Sequence, residues 1–228
     1  MSTNENRVAH IAVCIPSRSE WSADFAICVV NLFTFLLQNK FPGYKQTAVS
    51  LINKRGSILP QLRRQLVDEA LKAGVTHLLF VDSDMVFPAS IAHHLGKSEK
   101  DIIGCNCAVK AIPSRPTART YNGTTEGKAL YADLSAAPGT YTKVWRLGFG
   151  VMLVKADVFK AIPKPWFGIT WDAERNEEHG EDWFFCAAAE KAGYEIFVDE
   201  FTSKQIGHIG NFTFTHDEVQ APAAEDAA

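Results

Sequence analysis

The sequence predicts a single α/β domain, with a mostly parallel central sheet flanked by helices. Short β-branched runs alternate with helical stretches, the pattern of βα units around such a sheet. The apolar run 77–81 ends on two carboxylates, as a buried central strand does where it meets a ligand-facing loop. A chain of 228 residues, 46% of them hydrophobic, can bury one sizeable core but is short for two catalytic domains. Residues 8–215 therefore read as one domain, between a polar segment at 1–7 and a flexible tail at 216–228. Neither an internal repeat nor an interdomain linker is visible.

The elements follow in order. A strand at 8–15 is stopped by Pro16, and an apolar helix at 21–38 follows. With Asn31 and Thr34 inside it, this run falls short of the roughly 20 apolar residues a spanning helix needs, so it reads as a buried helix and no membrane span is expected. Next come a strand at 48–52, a loop through Gly56 and Pro60, a helix at 61–72 ended by Gly74, and the strand 77–81. A short helix follows Pro88, and residues 101–105 form another strand. Between 108 and 142 periodicity fades and Pro and Gly accumulate, which predicts loops and edge strands over a site. Residues 144–154 are strand-like around Gly148-Phe149-Gly150, 181–192 form a helix ended by Gly193, and 194–198 the last strand.

A net charge of −3 argues against a surface built for nonspecific attraction to polyanions. The five cysteines lie mostly in apolar runs without disulfide or zinc spacing, and read as reduced core residues. The polar N-terminus lacks the order of a secretory signal, so a cytoplasmic protein is expected, in the host cytoplasm if phage-encoded.

The chemistry centres on Asp82-Ser83-Asp84. Two carboxylates at i and i+2 beyond a buried strand can offer hard oxygen ligands to Mg²⁺ or Mn²⁺ together with a diphosphate, although an Asp there can also simply cap a turn. Glu181 and Asp182 open a helix, where acids are favoured for structural reasons too. His208, in Gly207-His208-Ile209-Gly210, reads by itself as an ordinary buried or turn histidine rather than a ligand. The pair His93-His94 reads as exposed on its helix and without a partner. Gly148 and Gly150 either permit close packing or leave bare backbone beside a donor sugar.

Taken together, a DxD at a strand end, a glycine-flanked strand, an ED pair opening a helix and a late His resemble the GT-A glycosyltransferases. The likeness is to family 2-like and short phage-encoded members, and covers about residues 8–210. It implies the Rossmann-like GT-A fold and metal-dependent transfer of a sugar from a nucleotide-sugar, UDP-sugar being the commonest choice. By resemblance, Asp84 binds the metal, Asp82 contacts nucleotide or metal, His208 completes the metal shell and Asp182 is the base. The loop Pro16, Ser17, Arg18 would hold the nucleotide with Asp82 and Ser83. Arg63 takes the place of a donor-site arginine, although its neighbours Arg64 and Gln65 depart from the expected small polar residues.

Such transfer builds negative charge on the leaving diphosphate, which a bridging cation stabilises where it develops. An inverting enzyme also needs a carboxylate to take the acceptor proton: Asp182, supported by Glu181. The aromatic segment 165–172, with Trp166 and Trp171, and Trp183 beyond it, offer flat faces to an acceptor, which could be carbohydrate, protein or modified DNA. Two other readings are a haloacid-dehalogenase-like phosphohydrolase with Asp82 as nucleophile, and a noncatalytic module binding nucleotide-sugar or nucleic acid. The dehalogenase motif, however, normally ends the first core strand, and here two strands and two helices are expected before it.

Overall fold

The computed structural model describes residues 8–124, 126–173, 176–210, 213–216 and 219. The segment 1–7 and the end of the tail, 220–228, lie outside the described residues. The order begins with β1 (Val8–Ser17), α1 (Ala23–Gln38), β2 (Gln46–Arg55), α2 (Leu59–Lys72) and β3 (His77–Val81). There follow β4 (Met85–Val86), α3 (Ile91–Lys97), β5 (Ile102–Gly104), the short pair β6 (Arg119–Thr120) and β7 (Lys128–Ala129), and β8 (Tyr141–Val144). The chain continues through β9 (Val151–Lys155), α4 (Ala156–Ala161), the hairpin β10 (Thr170–Asp172) and β11 (Glu177–His179), and α5 (Glu181–Lys191). It closes with β12 (Ile196–Asp199), α6 (Glu200–Ser203), β13 (Gly207–Ile209) and β14 (Thr213–Phe214).

Local chemistry explains most boundaries. The Ser22 hydroxyl accepts from the Phe25 N–H at 3.1 Å and starts α1, whose buried residues Phe25, Val29, Leu32 and Leu36 recur at helical spacing. The helix was expected to be buried, but only this stripe is, for Ile27, Val30 and Leu37 on the other faces are more than half exposed. Pro60 lies inside the first turn of α2, where a missing N–H costs nothing, so the helix starts earlier than 61. Pro16 does not stop β1, which runs on to Ser17 beside Arg55 of β2; at a strand end the lost donor is tolerated.

The main sheet has seven strands in the order β2-β1-β3-β9-β5-β12-β8. β2, β1 and β3 pair in parallel, as do β5 and β12, while β9 lies antiparallel between β3 and β5, and β8 antiparallel on β12. The mostly parallel sheet expected is thus a mixed one. The single strand expected over 144–154 is two strands at separate positions, β8 at the edge and β9 in the centre. The chain crosses between them at residues 145–150, where Phe149 drops among Phe80, Phe167 and Phe185 with ring centroids 5.0–5.2 Å away.

Helices cover both faces. Leu66 and Val67 of α2, Phe159 of α4 and Phe185 of α5 fill one core layer, and Phe25 and Leu32 of α1 with Ile91 and Leu95 of α3 fill the other. His93 and His94 are half-buried against Phe35 and Phe201, not partnerless. Nor does the fold end at residue 215. His216 is buried on the Asn106 carbonyl, and Val219 bridges Ser114. All five cysteines are free thiols. No helix among the described residues is long and apolar enough to cross a membrane.

Candidate active site

The site forms where β1 and β3 end. β3 delivers Asp82, whose N–H donates to the Gly150 carbonyl at 3.0 Å, and a tight turn then carries the chain through Ser83 and Asp84 into β4. β13 pairs antiparallel with β4, placing His208 opposite Met85, and the Ile209 N–H donates to the Asp84 carbonyl at 2.7 Å. This ladder brings His208 beside a carboxylate far from it in sequence.

His208 Nε2 stands 3.4 Å from Asp84 Oδ2. Its Nδ1 lies 2.9 Å from the Ala108 carbonyl, which can only accept. Nδ1 therefore carries a proton, which fixes the ring and turns Nε2 toward Asp84, where it can donate to the carboxylate when protonated and offer a lone pair to a cation when not. Lys110 donates to the same Asp84 oxygen. Burial raises the Asp84 pKa, but the hydrogen bonds and charges of His208 and Lys110 outweigh it and hold the carboxyl at about 2.

Asp82 is engaged differently. Arg63, its side chain only 2% exposed, donates through Nη2 to Asp82 at 2.9 Å and through Nε to Glu181 at 3.1 Å. The guanidinium also lies 4.9 Å from the Phe149 ring centroid, and its buried Nη1 has no hydrogen-bond partner. One arginine on α2 thus ties the end of β3 to the first turn of α5. Burial pushes the Asp82 carboxyl above its ordinary range, Asp84 and Glu181 adding to this and Arg63 opposing it.

Pro16, Ser17, Arg18, Asp82, Ser83, Asp84 and His208 border one cavity of about 400 Å³. The Ser17 hydroxyl accepts from Asn53 at 2.9 Å, which anchors the end of β1 against β2. Arg63 does not border this cavity; it acts on the site through Asp82 and Glu181. Gly148 and Gly150 do not border it either. A Cβ at Gly150 would meet Cys107 Sγ at 2.7 Å, and one at Gly148 would meet Thr117 at 3.1 Å, so both are small for packing and not for a donor sugar.

Asp182 opens onto a neighbouring polar cavity of about 480 Å³, shared with His179 and Trp183. Burial, with the Glu181 charge adding, raises its pKa to about 6, even though its Oδ1 accepts from the Trp183 N–H at 2.8 Å, so it is still mostly ionised at neutral pH. The aromatic expectations divide. Trp166 is 4% exposed and donates to the Phe159 and Ile162 carbonyls at 2.9 and 3.0 Å, so it is a core residue and cannot meet an acceptor. Trp171 is 59% exposed on β10. Trp183 stacks on His179 with centroids 4.6 Å apart and planes at 14°.

Lys110 is a site residue that sequence reasoning missed. The one signal for it was its place in a loop just beyond a strand's carboxyl end, where ligand-binding loops gather.

No protein-family model matches the chain, and no curated protein sequence matches it. Among solved structures, the chain is similar to A197 from STIV. The superposition covers 94% of this chain and 95% of that one, with a TM-score of 0.55 at 15% identity. At that identity the likeness is one of fold.

Proposed function

We propose that the chain is a GT-A-type glycosyltransferase, moving a sugar from a nucleotide-sugar, UDP-sugar first among candidates, to an acceptor hydroxyl with inversion. The observation that carries the reading is the joint geometry at the end of β3. Asp84 and an oriented His208 face each other at 3.4 Å in the cavity walled by Pro16, Ser17 and Arg18, and Arg63 links Asp82 there to the start of the helix bearing Asp182.

Among the described residues no three His, Cys, Asp or Glu side chains are grouped to hold a metal ion. The donor set still suits Mg²⁺ or Mn²⁺, since such ions commonly take one or two protein ligands and complete their shell with substrate phosphates and water. Asp84 and His208 would hold the ion, which would neutralise charge on the departing diphosphate. Pro16, Ser17 and Arg18 would seat the nucleotide. Arg63 keeps Asp82 and Glu181 in register, and Asp182 receives the acceptor proton during attack. The phosphohydrolase alternative needs Asp82 free to attack, and it is held by Arg63, with β1 and β2 preceding β3.

The test is calorimetry and thermal shift with a panel of nucleotide-sugars, with and without Mn²⁺. A true donor at about 100 times its dissociation constant should add roughly 2.7 kcal/mol of stability. Asp84→Asn should weaken Mn²⁺ and donor binding by at least about 10-fold. Parental affinity for both in that variant would remove the metal site and with it this reading.

A further inference from the structure

Beyond Asp182 the surface continues as a row of cavities whose shared walls are aromatic. His179 and Trp183 border both the Asp182 cavity and a second of about 410 Å³, and Trp145 borders both that one and a third of about 630 Å³. The rings touch in sequence: Trp145 lies 5.7 Å from Trp183, and Tyr121 5.5 Å from Trp145.

Trp145 is held for display. Its Nε1 donates to Glu190 at 3.2 Å, and the Arg146 guanidinium lies 3.9 Å from its ring centroid. Gly127 crosses so close that a Cβ there would meet the ring at 2.9 Å. Despite these contacts the indole is only half-buried. An aromatic side chain locked in place and left partly open costs little ordering entropy when a flat ligand stacks on it.

We propose that the acceptor is a neutral oligosaccharide chain, laid from Asp182 past Trp183 and Trp145 to Tyr121; this rests on the glycosyltransferase reading above. A pyranose offers an apolar C–H face to an indole and hydroxyls at its edge. Carboxylates at the rims, among them Asp172, Glu178 and Glu190, can accept from those hydroxyls. Carboxylates outnumber Lys and Arg around the three cavities, and the whole chain carries −3, the wrong balance for a nucleic-acid backbone that binds through excess positive charge. A single sugar at Asp182 would leave Trp145, one cavity further on, unused. The chain length of the acceptor is therefore what Trp145 reads.

The experiment titrates the full chain with neutral hexasaccharides of glucose, mannose, galactose and N-acetylglucosamine, their monosaccharides, and a dT12 oligonucleotide. Tryptophan fluorescence and saturation-transfer NMR report binding. At least one hexasaccharide should bind about 10-fold or more tighter than its monosaccharide. Trp145→Ala should weaken it about 5-fold, and Trp145→Phe should restore most of the loss. Tyr121→Ala, at a residue 67% exposed, should act in the same direction without endangering the fold. Equal affinity for hexasaccharide and monosaccharide, binding of dT12 in their place, no binding of any hexasaccharide, or indifference to both variants would each overturn the proposal. UDP-sugar and Mn²⁺ binding by the parent, read in parallel, separates the two ideas. Donor binding without hexasaccharide binding sinks only the acceptor, and the reverse sinks the transferase and leaves the cavities an oligosaccharide-binding row with no acceptor role.

Discussion

In the proposed transferase, the burial that disfavours the Asp182 charge in the fold is what suits it to the role of base. A general base works best with a pKa near the working pH, and burial with Glu181 at its side brings this carboxyl to about 6. Turnover should therefore fall about tenfold per unit as the pH drops below about 6. Asp182→Asn should lower kcat by about 10²- to 10⁴-fold while leaving donor affinity nearly unchanged, measured as transfer to the acceptor. Stability should move the other way. The folded pKa lies above the ordinary 3.8, so the folded state holds its proton more tightly than the unfolded one, and stability is lost as the pH rises from about 4 to about 6. Asp182→Asn should then be more stable than the parent at pH 8, by on the order of 1–3 kcal/mol, and no more stable near pH 4. Denaturant titrations at those two pH values check the sign.

At the scale of elements, Arg63 is the tie that makes one site from three segments. Its guanidinium meets Asp82 beyond β3 and Glu181 at the head of α5, and α2 supplies it from one core layer. Arg63→Ala would leave two nearby carboxylates without their shared cation. The expected loss is about 3 kcal/mol, the low end for a buried ion pair because Asp82 is 28% exposed, and urea unfolding would measure it. Arg63→Lys should recover little, since an ammonium lacks the planar fork that spans both acids. A second element-scale tie is the β4–β13 ladder, without which His208 would not approach Asp84.

Across the whole molecule, the candidate site and a source of acid sensitivity belong to opposite ends of the same strand. β3 ends at the site, but it begins with His77, which is 4% exposed and packed against Phe41 and Tyr44. Burial, with Lys155 adding, lowers its pKa from 6.5 to about 4, against the weaker pull of Asp157. The unfolded chain therefore takes up this proton first. The contribution is fully present above about pH 6.5 and drains away as the pH falls toward 4, on the order of 3 kcal/mol in all. Because Asp182 acts with the opposite sign over much of that interval, the His77 contribution is read as a difference: the stability of the parent relative to His77→Gln should rise as the pH goes from 4 to 6.5 and level off above it. A parent-minus-variant difference that stays constant from pH 4 to 8 would assign the acid sensitivity to other groups.

What the sequence determined by itself is the part governed by neighbours along the chain. The run at 77–81 is a five-residue buried strand at those bounds, the carboxylates follow it, and the ED pair opens a helix that Gly193 ends with a positive φ of 86°. Hydrophobic period, capping chemistry and glycine's conformational freedom act over a few residues, so they are legible without a fold. Only the tertiary structure decided that β9 inserts antiparallel beside β3, that Trp166 is core while Trp145 is displayed, and that Lys110 and His208 meet on one oxygen of Asp84. Each depends on partners tens of residues away, brought together by sheet order and by which faces the core needs to bury. An apolar run, an indole or a lone lysine carries no local mark of that outcome.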